Sequence, residues 1–256
     1  MTTVTEHYEN HLAPVYLWMA GGFDAAVARG ESEIDAVCPQ PSNGCTAVDL
    51  GAGFGMHAVP LARRGYSVTA VDSSPTLLEV LQEHIGTLPI RTVKDDLLAF
   101  QKHLDAEARL ILCMGDTLTH LPEQASVERL FSLVAESLHR DGTFITTFRD
   151  YTSPLAGTER FIPVRSDDQR ILTCFLEYFP DYVAAHDVLQ ERMGSAWQLR
   201  VGAYRKLRLS PAWVAAALED RGFTVRIEPG LAGMVRVVAG KRSFPEQRGT
   251  DPKSGT

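Results

Sequence analysis

The chain has 256 residues, of which 45% are hydrophobic, and its formal net charge of -7 at pH 7 accompanies a pI near 5.6. Such an acidic balance disfavours a nucleic-acid partner, which usually requires a basic face, and favours a small-molecule substrate. The start lacks a signal-like pattern, no apolar run can span a membrane, and the four cysteines lack zinc spacing, so we expect a cytoplasmic protein with no membrane contact and no metal.

The first predicted elements are helices. Apolar and aromatic residues recur at helical spacing over 4–19, and Pro14 is the expected break in this pattern. Gly21-Gly22 ends the segment, and a second helical pattern covers 23–37. We therefore predict a helical N-terminal unit over 1–44.

A strand, a glycine turn and a helix are predicted next. Residues 46–55 read T-A-V-D-L-G-A-G-F-G, and three alternating glycines indicate positive φ and a ligand lying against bare backbone. A dinucleotide-binding loop needs a third glycine where Met56 stands, and Asp49 would repel a phosphate at this place. An acid here is better suited to a cationic ligand.

The stretch D-x-G-x-G-x-G resembles motif I of the class I S-adenosylmethionine-dependent methyltransferases. Their cofactor, S-adenosylmethionine, carries a sulfonium and an ammonium but no phosphate. The resemblance implies a doubly wound, Rossmann-like α/β fold whose seven-stranded sheet ends in an antiparallel hairpin. It also implies that the N-terminal helices form a lid over the cofactor, where Tyr8, His11 and Tyr16 either line the site or pack on the core.

Two acids follow at positions that suit the cofactor. Asp72 ends the next predicted strand, 21 residues after Gly51, at the spacing where an acid grips ribose hydroxyls. Ser73 and Ser74 already supply helix caps, which favours this interpretation over a capping role for Asp72. After the third strand, 90–93, the resemblance implies an acid at the adenine amino group, and Asp96 matches best, although a solvated turn is the alternative. The predicted cofactor contacts are Asp49, Gly51, Ala52, Gly53, Asp72, Ser73, Asp96, Leu97 and Met114.

The loop after the fourth strand, 108–113, is predicted to face the transferred methyl group, because ligands of open α/β sheets lie at the carboxyl ends of the strands. Residues 115–121 read G-D-T-L-T-H-L and resemble the G-N-S-x-x-H-L loop of small-molecule N-methyltransferases similar to glycine N-methyltransferase. Asp116 and Thr117 depart from that pattern. The candidate catalytic residues are His120, Asp116 and Tyr8, although His120 can equally be a helix-entry residue.

A helix over 122–139 and a fifth strand over 143–148 complete the central part of the predicted fold. Arg149 and Tyr151 follow that strand at the carboxyl edge of the sheet. With Tyr16 and His11 from the N-terminal unit, they are candidate substrate contacts.

An antiparallel insertion on the substrate side is predicted over 152–208, with strands at 171–179, 182–189 and 197–209. In the last strand the odd positions are apolar, which predicts that they face inward. Arg205 shares that face and therefore needs a partner, either an acid such as Glu177 or a carboxylate or phosphate of the substrate. Arg205 is the fifth candidate substrate contact.

The end of the chain returns to the predicted core, which comprises 45–151 and 209–240. A helix begins at Ser210-Pro211, two strands follow, and 241–256 is predicted to be a disordered tail. The sequence thus predicts methyl transfer from S-adenosylmethionine to a small polar metabolite, at an amine nitrogen, by a possible homodimer. The alternatives are a nucleotide-dependent oxidoreductase and a non-catalytic S-adenosylmethionine-binding protein.

Overall fold

Strand β1 (Thr46–Leu50) lies inside a seven-stranded sheet with the order β10-β11-β5-β4-β1-β2-β3. All neighbouring pairs are parallel except β11 with β5 and β10 with β11, so the sheet ends in an antiparallel hairpin. This computed structural model describes residues 3–38, 40, 41 and 44–241. It confirms the predicted Rossmann-like α/β class.

The other strands of this sheet are β2 (Ser67–Asp72), β3 (Ile90–Lys94), β4 (Ala108–Cys113), β5 (Leu138–Phe148), β10 (Phe223–Pro229) and β11 (Val235–Lys241). The α-helices are α1 (Val4–His7), α2 (Ala13–Met19), α3 (Phe23–Asp35), α4 (Ala58–Arg63), α5 (Pro75–His84), α6 (Gln124–Ser137) and α7 (Pro211–Glu219). Lys241 belongs to β11 rather than to a disordered tail, and the rest of the predicted tail lies outside the described residues.

Two apolar clusters cover the two faces of the sheet. One contains Phe131 of α6 and Leu218 of α7, and the other contains Ile34 of α3 and Leu61 of α4. Strand β4 contributes to both clusters, which explains why its sequence is a continuous apolar run rather than an alternation. The sheet is thereby rigid beneath its carboxyl edge.

The N-terminal segment is continuous at Pro14, where the sequence predicted a break. A π-helical segment, Tyr8–Leu12, joins α1 to α2, and the amide of Ala13 donates to the carbonyl of Tyr8. Pro14 occupies the first turn of α2, where its missing N–H costs no hydrogen bond. The π-helical segment therefore precedes the proline, and the helical structure continues through Pro14 without a break.

The insertion forms a separate four-stranded antiparallel sheet, the inserted sheet, with the order β6-β7-β8-β9. Its strands are β6 (Phe161–Ser166), β7 (Arg170–Tyr178), β8 (Tyr182–Met193) and β9 (Ala196–Leu207). The last three match predicted strands, whereas β6 was missed.

The predicted register of β9 is wrong. Trp197, Leu199 and Val201 are 49%, 59% and 57% exposed, and the opposite face, which carries Tyr204, turns inward. The reason lies in the N-terminal helices: a Cβ at Gly202 would lie 2.5 Å from the His7 ring, so the small and polar positions face α1. Alternation identifies the two faces of a strand but does not say which one is buried.

Arg205 accordingly lies on the exposed face of β9. Its guanidinium stacks over the ring of Tyr182 at 4.3 Å. Glu177, the acid considered as its partner, lies 3.3 Å from the ring of His186 instead. The predicted burial of Arg205 among apolar residues is thus not observed.

Candidate active site

A cavity of about 1510 Å³ opens at the carboxyl ends of β1, β2 and β4, between the sheet, the N-terminal helices and the inserted sheet. Most of the predicted site residues line it: Tyr8, Tyr16, Gly51, Ala52, Gly53, Asp72, Ser73, Asp96, Leu97, Met114, His120 and Arg205. Five others lie outside its lining, namely Asp49, His11, Asp116, Arg149 and Tyr151. The sequence therefore located the cavity, but these five predicted residues lie outside its lining.

The glycine turn, 51–55, forms the floor of the cavity. Gly51, Gly53 and Gly55 all have positive φ, at 76°, 53° and 95°. A Cβ at Gly51 would lie 2.5 Å from Cγ2 of Thr117, and one at Gly55 would lie 2.3 Å from Cδ1 of Leu81. The turn therefore needs glycine both for its backbone conformation and for the close approach of the loop after β4.

Asp72 connects the end of β2 to this turn. One carboxylate oxygen accepts from the Gly53 amide at 2.7 Å, and the other accepts from the Ser74 amide at 2.8 Å. The cap of α5 is Ser74, whose hydroxyl accepts from the Leu77 amide. Each oxygen of Asp72 retains a second lone pair, so the carboxylate can still accept two hydroxyl groups from a ligand.

The two acids after β3 have different partners. Asp95 lies 2.8 Å from the ring of His103, whose hydrogen bond lowers the pKa of the carboxyl. Asp96 caps the following 3₁₀ segment, Leu97–His103, through a bond from the Leu98 amide. Both acids line the cavity, and Leu97 presents an apolar side chain beside them.

Asp49 lies behind the glycine turn rather than in the cavity. It is 1% exposed, and burial raises the pKa of its carboxyl to about 6, although His57 and the amide of Ala58 oppose this effect. The N-terminus of α4 stabilises negative charge at this position. Neither carboxylate oxygen of Asp49 has a hydrogen-bond partner among the described residues, and Asp49 does not line the cavity as predicted.

Sequence reasoning missed a buried pair on the cavity wall, Glu33 and His57. Glu33 Oε2 lies 2.9 Å from His57 Nε2, and both residues line the cavity. Helix α3 comes this close because a Cβ at Gly30 would clash with the backbone of Met56. The sequence offered one sign of this packing, because Glu33 shares a helix face with the small residues Ala26 and Gly30.

The β4 loop, 114–121, is organised by Asp116, which adopts a left-handed conformation at φ 74°. Its carboxylate accepts from Lys206 Nζ at 2.6 Å, Tyr151 Oη at 2.9 Å and the Arg149 amide at 2.9 Å. Burial is the largest single influence and would raise the pKa of Asp116, but the Lys206 ammonium, His120 and the hydrogen bonds together outweigh it and the pKa is lowered. Asp116, Arg149 and Tyr151 thus hold the loop in place from outside the cavity.

Lys206 was missed because the predicted register turned it outward. It projects from the inner face of β9, and its side chain is 12% exposed. Burial opposes its charge, yet Asp116 raises the pKa of the ammonium well above its usual range. The pair therefore remains charged at neutral pH.

His120 is carried into the cavity wall by the β4 loop. Its Nε2 is buried and has no hydrogen-bond partner among the described residues. Burial, followed by the charge of Lys206, lowers the pKa of its ring to about 3. A neutral imidazole with an unpartnered nitrogen can accept a hydrogen bond from a ligand.

Aromatic rings surround His120. Tyr8 and Tyr204 lie 5.4 and 5.6 Å from its ring, and Tyr16 lies 5.8 Å from Tyr8. Burial raises the pKa of all three phenols. These phenols are therefore neutral at neutral pH, and the rings around His120 form an aromatic wall.

Two histidines fix the N-terminal helices to the inserted sheet. His7 Nε2 lies 2.9 Å from Oδ2 of Asp187, and His11 Nε2 lies 3.0 Å from the carbonyl of the same residue. His7 also stacks on Tyr204 at 4.4 Å. His11 was predicted to contact substrate; it lies outside the cavity lining, and its ring is bonded to the inserted sheet.

The chain is similar to known proteins in both sequence and fold. Residues 47–142 match a family model described as a methyltransferase domain. The fold is similar to that of a S-adenosylmethionine-dependent methyltransferase from Clostridium acetobutylicum, with a TM-score of 0.72 at 14% identity, over 91% of this chain and 99% of the other. Residues 47–142 thus match a methyltransferase domain, within a fold like that of the S-adenosylmethionine-dependent methyltransferase of known structure.

Two sequence relatives each match less than half of this chain. A glycine/sarcosine/dimethylglycine N-methyltransferase of Actinopolyspora halophila is 28% identical over 117 residues, 43% of this chain and 20% of that protein. A ubiquinone biosynthesis O-methyltransferase of Methylobacterium sp. (strain 4-46) is 44% identical over 133 residues, 49% of this chain and 51% of the other. The chain thus spans a fifth of one relative and about half of the other.

The cavity of the methyltransferase domain fits S-adenosylmethionine. The carboxylate of Asp72 can accept from a ribose diol, and Asp96 with Leu97 offers an acceptor beside an apolar surface for a purine. Among the residues that the structure describes, no helix combines the length and apolar composition needed to cross a bilayer.

Proposed function

We propose that the protein transfers a methyl group from S-adenosylmethionine to an amine nitrogen of a small polar metabolite. The observation that carries this proposal is His120, whose buried and neutral imidazole leaves Nε2 without a partner on the cavity wall. An amine attacks only when it has lost its proton, and Nε2 of a neutral imidazole can accept a hydrogen bond from the N–H of such a neutral amine and orient its lone pair. The N-methyltransferase relative supports the same class of acceptor.

The cofactor is assigned to the half of the cavity formed by the seven-stranded sheet. The glycine turn receives its amino-acid end, Asp72 its ribose and Asp96 with Leu97 its adenine. When bound, S-adenosylmethionine supplies an electrophilic methyl group on a sulfonium with a strong leaving group. The protein's main contribution is therefore alignment of the acceptor and exclusion of water.

The acceptor is assigned to the half formed by the N-terminal helices, the β4 loop and the inserted sheet. Tyr8 and Tyr16, on the lid, supply apolar faces, and His120 accepts a hydrogen bond from the N–H of a neutral amine. Arg205, at the mouth of the cavity, is proposed to contact an anionic group of the acceptor, because its guanidinium has a ring, not an acid, as its observed partner.

An assay of S-adenosylhomocysteine formation tests the proposal. The purified protein is incubated with S-adenosylmethionine and matched acceptors: glycine, sarcosine, amino sugars and, for oxygen, simple phenols and catechols. We expect turnover with amines and a mass gain of one methyl group on nitrogen. Turnover with hydroxyl acceptors alone would show that the methyl group goes to oxygen and not to nitrogen. Cofactor binding without any turnover would indicate a non-catalytic protein.

We also propose a homodimer, formed by the outer face of the inserted sheet. Register places Phe161, Phe175, His186 and Ala203 in one row across this face and Ile171, Gln190 and Leu199 in another. The four strands have 6, 9, 12 and 12 residues and give a face of roughly 620 Å². That area is about three quarters of the ~800 Å² that each partner contributes to a stable interface.

The dimer predicts a specific response to charge on this face. Leu199→Lys should convert a dimer into a monomer in sedimentation velocity, since the ammonium cannot be buried without a partner. Ile227→Lys is the matched control, because Ile227 is 48% exposed on the seven-stranded sheet. A wild-type monomer at micromolar concentration would refute the proposal.

A further inference from the structure

The aromatic wall around His120 forms one ring-lined part of the cavity. Tyr8, Tyr16 and His120 line the cavity, whereas Tyr204 lies outside the lining, with its ring 5.6 Å from that of His120. Phe54 extends the wall, since its ring lies 5.9 Å from the ring of Tyr16. Side chains from the N-terminal helices, the glycine turn and the β4 loop therefore meet in this wall.

The wall is neutral, although the cavity around it is acidic. Burial raises the pKa of the Tyr8 and Tyr16 phenols and lowers the pKa of the His120 ring to about 3, so none of the three is charged at neutral pH. The described residues that line the cavity include six carboxylates and three guanidinium groups. Because the face of an aromatic ring is its electron-rich side, such a wall attracts a positively charged group.

One ring of the wall already has a cation beside it. Lys206 Nζ lies 5.5 Å from the centroid of the Tyr204 ring, and its charge is compensated by the carboxylate of Asp116 at 2.6 Å. Tyr8 and Tyr16 have no lysine or arginine over their rings among the described residues. The cation of a ligand can therefore occupy that place, within the ~6 Å at which such pairs attract each other.

Methyl transfer to an amine brings positive charge to this wall. The lone pair of the neutral amine forms the new N–C bond, and the C–S bond breaks with its electron pair going to sulfur. The charge of the sulfonium thereby passes to nitrogen, and the product is an ammonium ion that loses its proton in water. In the proposed function the amine donates to His120 Nε2, and the Tyr8 ring lies 5.4 Å from the His120 ring. Rings that attract the developing ammonium more than the neutral amine lower the barrier.

We propose that the aromatic wall is a cation site for a methylated ammonium group and that the acceptor is an aliphatic secondary amine. A ring face offers no oxygen to an N–H donor, so it suits an ammonium whose hydrogens are replaced by alkyl groups. A secondary amine still has the N–H that the unpartnered Nε2 of His120 can accept. The cation site is independent of turnover, whereas the acceptor class rests on the proposed function.

The binding of a cation and of its neutral isostere tests the site. Choline and the analogue that has a tert-butyl group in place of the trimethylammonium have the same shape and differ in charge. Calorimetry on the protein saturated with S-adenosylhomocysteine should give choline an affinity about 10-fold higher than that of the analogue. A purely apolar wall would bind the neutral analogue at least as tightly, because less hydration is lost, and that result would overturn the cation site.

Variants of Tyr16 separate the effect of the ring from that of the carboxylates in the cavity. Tyr16→Leu keeps an apolar side chain but removes the ring, so the preference for choline should fall roughly 3-fold or more, and Tyr16→Phe should retain it. Phe161→Leu is the matched control, because Phe161 is 55% exposed and lies outside the cavity lining. Tyr8→Leu takes its place where Tyr16→Leu does not fold. An unchanged preference in the folded leucine variant would assign it to the carboxylates and overturn the proposal.

The acceptor class is tested with each primary amine of the acceptor panel and its N-methyl derivative, such as glycine and sarcosine. The kcat/KM of the N-methyl derivative should be about 10-fold higher, and a preference for the primary amine would overturn the secondary-amine acceptor. Preference for choline without turnover of any amine would support the cation site and refute the proposed methyl transfer. Turnover of amines without preference for choline would refute the cation site and leave methyl transfer standing.

Discussion

The seven-stranded sheet and the inserted sheet contribute to the cavity in different ways. The former supplies a glycine turn and acids whose oxygens bind backbone amides, as Asp72 does with Gly53. The latter supplies buried charge from behind the wall, through Lys206 and Asp187. A turn made of backbone can be recognised from a short stretch of sequence, whereas a buried charge depends on which face of a strand turns inward.

The largest predicted effect concerns the seven-stranded sheet. Asp72→Ala should weaken cofactor binding by roughly 30- to 1,000-fold, or about 2 to 4 kcal/mol, because two ribose hydroxyls lose a charged acceptor. Calorimetry with S-adenosylhomocysteine measures this. Asp105→Ala is the control, since that carboxylate is 96% exposed. Unchanged affinity in Asp72→Ala would mean that the carboxylate only ties the turn to β2.

A second prediction concerns the pH dependence of stability that the buried carboxyl of Asp49 causes. The carboxyl of Asp49 has a pKa raised from 3.8 to about 6, so the folded state binds a proton more tightly than the unfolded state. Its contribution therefore destabilises the fold progressively as pH rises from about 4 to 6, by up to about 3 kcal/mol. Asp49→Asn should remove this slope in chemical denaturation series.

The free energy of unfolding of Asp49→Asn is compared with that of the wild type at each pH. The advantage of Asp49→Asn over wild type should grow between pH 4 and pH 7. Asp105→Asn is the matched control at an exposed carboxylate. A parallel pair of stability curves for Asp49→Asn and wild type would contradict the buried, weakly compensated carboxyl described above.

The smallest predicted effect belongs to the inserted sheet. Arg205→Lys should raise the KM for an anionic acceptor by roughly 3- to 10-fold, because an ammonium cannot reproduce the paired donors of a guanidinium. Melting temperature and cofactor affinity should stay constant, since Arg205 lies on the exposed face. A lower melting temperature with an unchanged KM would show that its stacking on Tyr182 is structural.

The same contrast explains how much the sequence predicted. Periodicity and spacing located β1, the glycine turn, Asp72 and the β4 loop, because each depends on local residue order. The alternation in β9 was read correctly as two faces, but the face toward α1 is the one with Gly202 and Tyr204. Lys206 and the Glu33–His57 pair were missed because they arise from contacts between elements distant in sequence.

The role of His120 is the central claim, and His120→Gln tests it most directly. The kcat for formation of the methylated amine, measured by mass spectrometry with saturating S-adenosylmethionine, should fall about 10²-fold, because the acceptor is no longer held in line with the methyl group. Affinity for S-adenosylhomocysteine should remain that of the wild type, since Asp72 and the glycine turn are intact. A His120→Gln protein that methylates the amine at the wild-type rate would contradict the account.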